Sequence, residues 1–232
     1  MKPRTYGRTL LTAIPLSIML AWVPWNFAHA TSIFINEIHY DNIGDDTGEA
    51  IEIAGPAGTN LSGWSLALYN GNPTQLKVYS TISLSGIIPD QQNGFGTLSF
   101  FKSGIQNGDP GGDGIALVDA FTNVVQFLSY EGSFSVTSGP AAGLTSTDIG
   151  VSESNSSTPE GNSLQLTGTG NVFADFSWAS SSMANTFGSV NSGQTFQPVP
   201  EPSALLLLGT GLLVLWYCHR RGTNVRSVLA IL

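Results

Sequence analysis

Apolar and polar positions alternate with a period of two through much of the middle of the chain, the signature of strands with one face turned to a core. Trp64, Leu66 and Leu68 alternate with Ser65, Ala67 and Tyr69. Ile51 and Ile53 flank Glu52, and Leu164 and Leu166 flank Gln165. The same reading predicts further strands at 33–38, 78–84, 97–101, 115–118, 124–128 and 173–178. Turn chemistry separates them: Gly55 with Pro56, Asn70 with Gly71, Pro89 with Asp90, Asn93 with Gly94, Asn107 with Gly108, and Pro110 with Gly111 and Gly112. No stretch between the two ends carries a sustained helical stripe with caps. Short strands punctuated in this way predict an all-β, two-sheet sandwich. Residues 138–161, poor in large apolar side chains, read as a long loop.

Two continuous apolar runs bracket this alternation. The first, 9–25, follows Lys2, Arg4 and Arg8 and precedes Ala28, His29 and Ala30. A charged start, an apolar middle and small residues at Ala28 and Ala30 read as a secretory signal peptide, cut by a signal peptidase after Ala30. Pro15 and Pro24 argue against a stable spanning helix there. The second run, 203–218, has no charge. As a helix it is ~24 Å long against a hydrocarbon core of ~30 Å, so it spans only with local thinning. Trp216 and Tyr217 suit the headgroup level, and Arg220 and Arg221 mark the cytoplasmic side. The predicted order is therefore a signal peptide (1–30), an extracytoplasmic sandwich (31–193) and a Pro-containing linker (194–202). A transmembrane helix with its arginine pair (203–221) and a short cytoplasmic tail (222–232) follow.

On physics alone the second run is a C-terminal anchor. Its order of parts says more: Pro200, Glu201 and Pro202, then a short apolar helix, then Arg220 and Arg221, resemble the PEP-CTERM sorting signal of Gram-negative bacteria. The resemblance implies processing by an exosortase, a membrane transpeptidase that cuts near the Pro-Glu-Pro tripeptide. It also implies transient anchorage in the inner membrane, then residence at the cell surface or outside the cell, with extracellular polysaccharide as an expected partner.

Charge narrows the partners. Residues 31–202 hold two lysines, Lys77 and Lys102, against all sixteen acidic residues, a net of −14. Such a field repels phosphate backbones, so nucleic acid is excluded. The single cysteine, Cys218, lies in the second apolar run, so the exported segment holds no disulfide. Its length suffices for one core of its own.

The opening of that segment carries a second resemblance. Ile35 to Ile38 read I-N-E-I, followed by the acidic turn at 44–46, G-E-A-I-E-I at 48–53 and L-S-G-W-S-L at 61–66; D-G-I-A-L-V-D follows at 113–119. Together these look like the first strands of a lamin-tail domain, which implies an immunoglobulin-like sandwich used in bacteria as an extracellular module.

Candidate chemistry is sparse. His39 is the sole histidine within 31–202, and neither G-x-S-x-G nor H-E-x-x-H occurs. It reads as a hydrogen-bonded strand-end residue. Sixteen acids always offer pairs for glycosidase chemistry, yet nothing singles one out. Glu37 and Glu52 read as structural. The chain is therefore expected to be non-catalytic, with a secreted hydrolase as the remote alternative. A nearer alternative is a Ca²⁺-assisted carbohydrate- or protein-binding module. Asp41, Asp45, Asp46 and Glu49 lie with Asn42 within 41–49, an oxygen-rich loop of the kind Ca²⁺ takes. The spacing is not that of an EF-hand, and a solvated turn demands the same residue types. A second such loop spans 109–114. Apart from Ca²⁺, no cofactor is expected. Among the aromatic residues, Trp64 falls on the core phase of its strand, whereas Tyr69 and Tyr79 are predicted to be exposed enough to stack on a sugar.

Overall fold

The computed structural model describes residues 32–108 and 111–198, and in the tail residues 209, 211–213, 215–216 and 219–220. Among these, the strands are β1 (Phe34–His39), β2 (Ala50–Pro56), β3 (Ser65–Asn70), β4 (Lys77–Ser83), β5 (Phe95–Phe101) and β6 (Asp113–Val118). They continue as β7 (Val124–Tyr130), β8 (Thr147–Asp148), β9 (Asn162–Gly170), β10 (Phe176–Trp178), β11 (Met183–Ala184) and β12 (Gln194–Phe196). One sheet runs β10-β9-β1-β2-β5, with β11 and β12 also paired to β9; the other runs β4-β3-β6-β7-β8. Pairing is antiparallel except for β12 on β9 and β8 on β7. This is the expected all-β, two-sheet sandwich.

The inward phases meet as predicted. Ile35, Ile38, Ile51, Ile53 and Leu164 from the first sheet pack against Leu66, Leu68, Ile115, Leu117 and Leu128 from the second, all buried, with Trp64 half-buried at their margin. The outward phases, which alternation assigns to water, are buried as well. Every residue of β1 and of β6 is buried. Outside the second sheet, Ala67, Tyr69, Ala116 and Phe127 are covered by Phe134, Val136 and Ala141 of the segment after β7. Outside the first, Phe34, Ala54 and Leu166 pack with Phe95, Phe176 and Phe196. Each sheet thus has apolar contacts on both faces, and the described residues form three apolar clusters rather than one. All three, with every described strand, lie between Phe34 and Phe196.

Four expectations are corrected. Tyr69 does stand opposite Leu68, but the Phe134–Ala141 cover buries it, and its hydroxyl donates to the Ser138 carbonyl (3.2 Å) and accepts the Ala141 N–H (2.8 Å). Tyr79 is the extra residue of a bulge, since Leu68 pairs with Ser80 and Tyr69 with Val78. A bulge re-aims its side chain, and the Tyr79 ring packs against the inner core. Neither ring is a sugar platform. The predicted strand at 173–178 begins instead as a 3-10 turn, Phe173–Asp175. Finally, Gln194 to Phe196, assigned above to the linker, is a strand, and Phe196 is fully buried and stacked on Phe95 at 5.2 Å. The domain therefore extends to Phe196, because a lone phenylalanine in that polar stretch fills the outer cluster.

The described tail residues are helical, with the Arg220 guanidinium 4.6 Å above the Trp216 ring. Among the described residues no helix is long and apolar enough to cross a membrane. Most of the anticipated span, the signal peptide with Ala28 and Ala30, the residues Pro200, Glu201, Pro202 and Arg221, and the 222–232 tail lie outside the described residues.

Candidate functional site

The pairing register gathers the polar loops at one end of the sandwich. His39 pairs with Ala50 and Ala50 with Phe101 in the first sheet; Asn70 pairs with Asp113 and Asp113 with Tyr130 in the second. The ends meet where Tyr40 stacks on Tyr130, ring centroids 3.9 Å apart. The described residues of loops 40–49, 71–76, 102–112 and 131–146 consequently share this end.

A buried ionic knot fastens it. Glu153, from the loop after β8, accepts the Tyr40 N–H (2.6 Å) and the Asp41 N–H (3.0 Å) and lies 2.9 Å from Nδ1 of His39. Nε2 of His39 lies 3.0 Å from the Thr47 carbonyl. Both ring nitrogens therefore face acceptors, an arrangement that favours the doubly protonated ring. Burial alone lowers the His39 pKa; the Glu153 hydrogen bond and charge, with the Thr47 carbonyl, outweigh it and hold the pKa above the ordinary 6.5. The Tyr40 hydroxyl accepts the Glu153 N–H (2.7 Å) and donates to Glu131 (2.9 Å). His39 is thus a buried, hydrogen-bonded residue at the end of β1, committed to closing the loop end. Glu153 carried no signal in the sequence, because its partners lie more than a hundred residues away.

The four carboxylates singled out for Ca²⁺ are divided. Glu49 is buried, and its oxygens accept the N–H groups of Gly104 and Ile105, each at 2.7 Å. Asp46 accepts the Asn42 N–H (3.3 Å) and Nδ2 of Asn107 (3.1 Å). Asp45 is exposed. Asp41 is buried and close to Asp46; burial first, and the Asp46 charge second, raise its pKa, and its Oδ1 has no hydrogen-bond partner. Asp41 and Asp46 come together, Asp45 is exposed, and Glu49 is taken up by the Gly104 and Ile105 amides. Among the described residues no three His, Cys, Asp or Glu side chains are grouped to hold a metal ion. In the second loop, Asp109 lies outside the described residues, and Asp113 is buried, its oxygens accepting the N–H groups of Gly71 (3.0 Å) and Gly108 (3.1 Å).

Between the 71–76 and 102–112 loops, the same end opens into a cavity of about 290 Å³, walled by Asn70, Asn72, Gln75, Gln106, Asn107 and Asp113. The sequence marks most of these only as turn residues, and nothing in their spacing brings Gln75 beside Gln106. Gly71 is required here: a Cβ would lie 2.3 Å from the Gly112 carbonyl oxygen and 2.6 Å from the Phe134 ring.

A second buried polar cluster lies on the outer face of the first sheet. Glu37 and Glu52 face each other across central strands β1 and β2. Glu37 accepts from Ser163, Gln165 and both the N–H and hydroxyl of Thr186; Glu52 accepts from Asn36, Ser99 and the Gly188 N–H. Two carboxylates thus strap the 186–191 segment onto the sheet. Asn36, the extra residue of a β1 bulge, completes the cluster through Asn191 and Gln194. Burial, and then the Glu37 charge against the relief from Asn36, raise Glu52 to about 7. Neither carboxylate lines the cavity at the loop end, and each is engaged by the neighbouring segments.

Against known proteins, residues 198–221 match the family described as the PEP-CTERM protein-sorting motif. No curated protein and no solved structure matches the chain. The chain thus carries a PEP-CTERM sorting signal, the mark of an exosortase substrate, behind an all-β sandwich.

Proposed function

We propose that this is an exported, non-catalytic surface or extracellular-matrix protein of a Gram-negative bacterium, delivered by its signal peptide and processed by an exosortase at Pro200, Glu201 and Pro202. The observation that carries the reading is the match at 198–221, whose order of tripeptide, apolar run and arginine pair suits a membrane-embedded processing enzyme. The transmembrane role of 203–221 and the signal peptidase site at Ala28 and Ala30 belong to the same reading, as does residence among extracellular polysaccharide. So does the lamin-tail, immunoglobulin-like type of the sandwich, supported by the two-sheet order and the segments at 35–38, 48–53, 61–66 and 113–119. A non-catalytic role is favoured by the commitments of its buried ionisable groups: His39, Glu37, Glu49, Glu52, Asp113 and Glu153 each hold backbone or neighbouring side chains in place. Fractionating the native host with and without its exosortase tests the sorting. The protein should leave the membrane only when the enzyme is present, and release independent of the enzyme would refute it.

A Ca²⁺-assisted binding module is a second reading, favoured by one observation: the Asp41 Oδ1 is buried without a partner beside Asp46. A melting temperature indifferent to both EDTA and excess Ca²⁺ would remove it.

A further inference from the structure

We propose that the cavity between the 71–76 and 102–112 loops binds one neutral sugar unit of a glycan through amide–hydroxyl hydrogen bonds. At about 290 Å³ it stands at the lower end of small-molecule sites, ~300 Å³ and upward, which suits a single ring better than a drug-sized ligand. Among the described residues, five carboxamides and one carboxylate supply its side-chain wall, with no lysine or arginine. Lys77 pairs with Asn70 on the neighbouring strand but is exposed and outside the wall.

The wall is fixed before a ligand arrives. Asp113 anchors both loops by accepting the N–H groups of Gly71 and Gly108, so its charge is already spent on the protein. Asn70 accepts the Asn72 N–H (2.8 Å) and donates to Oε1 of Gln106 (2.7 Å). Asn72 in turn holds Thr74, and Asn107 donates to Asp46. Leu76 closes the 71–76 loop at φ 42°, a left-handed conformation that a leucine rarely adopts. After these commitments, Nδ2 of Asn72, Nε2 of Gln106, Oδ1 of Asn107 and the whole Gln75 amide have no protein partner among the described residues. Donors and acceptors stand side by side, which is what vicinal hydroxyls need, since each hydroxyl both gives and takes a hydrogen bond.

The alternatives fit worse. An anion would face Asp113 and a net charge of −14 without a cationic side chain in the wall. A metal would find, among the described residues of the wall, a single carboxylate, each of whose oxygens already accepts a backbone N–H. A peptide anchor needs an apolar pocket, and the wall offers none. The chemistry of this cavity does not depend on how the chain is sorted.

The test is saturation-transfer NMR and calorimetry on the full chain in a non-glycosidic detergent. The probes are maltose, cellobiose and lactose, with galacturonic acid and glucose 6-phosphate as charged controls. At least one neutral disaccharide should bind, and Gln75→Ala, which removes an exposed side chain with no protein partner, should weaken it about fivefold or more, the loss expected for one hydrogen bond. Gln106→Glu, which still accepts from Asn70 but adds a charge, should weaken it too, with the melting temperature of both variants near wild type. Absence of binding to all three disaccharides would overturn the proposal. So would equal binding of the charged sugars, or binding that both folded variants leave intact.

Discussion

The substitution Glu52→Gln should flatten the loss of stability toward alkaline pH, although it disturbs a carboxylate that accepts three hydrogen bonds. In the unfolded chain Glu52 titrates at its ordinary 4.5; in the fold, burial and the facing Glu37 lift it to about 7. Between those values the native state holds a proton that the unfolded chain has released. Stability therefore falls as pH rises through that window and stays low above it. The cost from Glu52 is about 3 kcal/mol between pH 4.5 and 7, at ~1.4 kcal/mol per pH unit. Glu37, Asp41, Glu49 and Asp113, raised mainly by burial, act with the same sign. A glutamine removes the ionisation, but its NH2 group only donates, so it meets either Asn36 or Gly188, both N–H donors, without an acceptor. The variant should therefore be weaker than wild type by about 1–3 kcal/mol at pH 4.5, and the difference should move about 3 kcal/mol in its favour by pH 8. Urea unfolding followed by tryptophan fluorescence at both pH values measures this. A variant that loses stability in parallel with wild type between the two pH values would refute the reasoning.

Three further outcomes follow from the same structure. The His39 ring should still be doubly protonated at pH 6.5 and release its proton only above that value, taking its contribution to stability with it as pH rises through the folded pKa; two-dimensional NMR of the imidazole resonances across pH 5–9 reads this directly. Tyr40→Phe leaves the buried Glu153 N–H without its acceptor and should cost about 1–3 kcal/mol, measured by denaturant unfolding, with His39 titrating closer to its ordinary value as the Glu153 loop loosens. Phe196→Ala removes a fully buried ring stacked on Phe95 and should cost about 3–5 kcal/mol, whereas a true linker residue would cost nothing; thermal melting distinguishes the two.

The inner core was legible because Trp64, Leu66 and Leu68, or Ile51 and Ile53, declare a buried face by period alone. What period cannot show is whether the other face is wet. Ala67, Tyr69, Glu37 and Glu52 alternate as solvent-facing residues should, but the segments 134–141 and 186–196 fold back over them. Those covers are built from single apolar residues in polar sequence, Val136, Ala141 and Phe196, so no pattern announces them. The same limit applied at the loop end. Acid density at 41–49 was visible, but the separation of Glu49 from Asp41 is set by the amides of Gly104 and Ile105, which are distant in the chain. The cavity's amides were visible only as turn formers, because the register that joins Asn70 to Asp113 is a tertiary fact. The sorting signal, by contrast, is a contiguous motif whose meaning lies in its order of parts, and it was read in full from Pro200 to Arg221.

The central claim is that the chain is an exosortase substrate, and intact-mass analysis of the mature protein recovered from its native host tests it most directly. The account predicts an N-terminus at Thr31 and a C-terminus cut near Pro200, Glu201 and Pro202, with the 203–232 segment gone. A mature protein that retains Arg220, Arg221 and Leu232 on every molecule would contradict it.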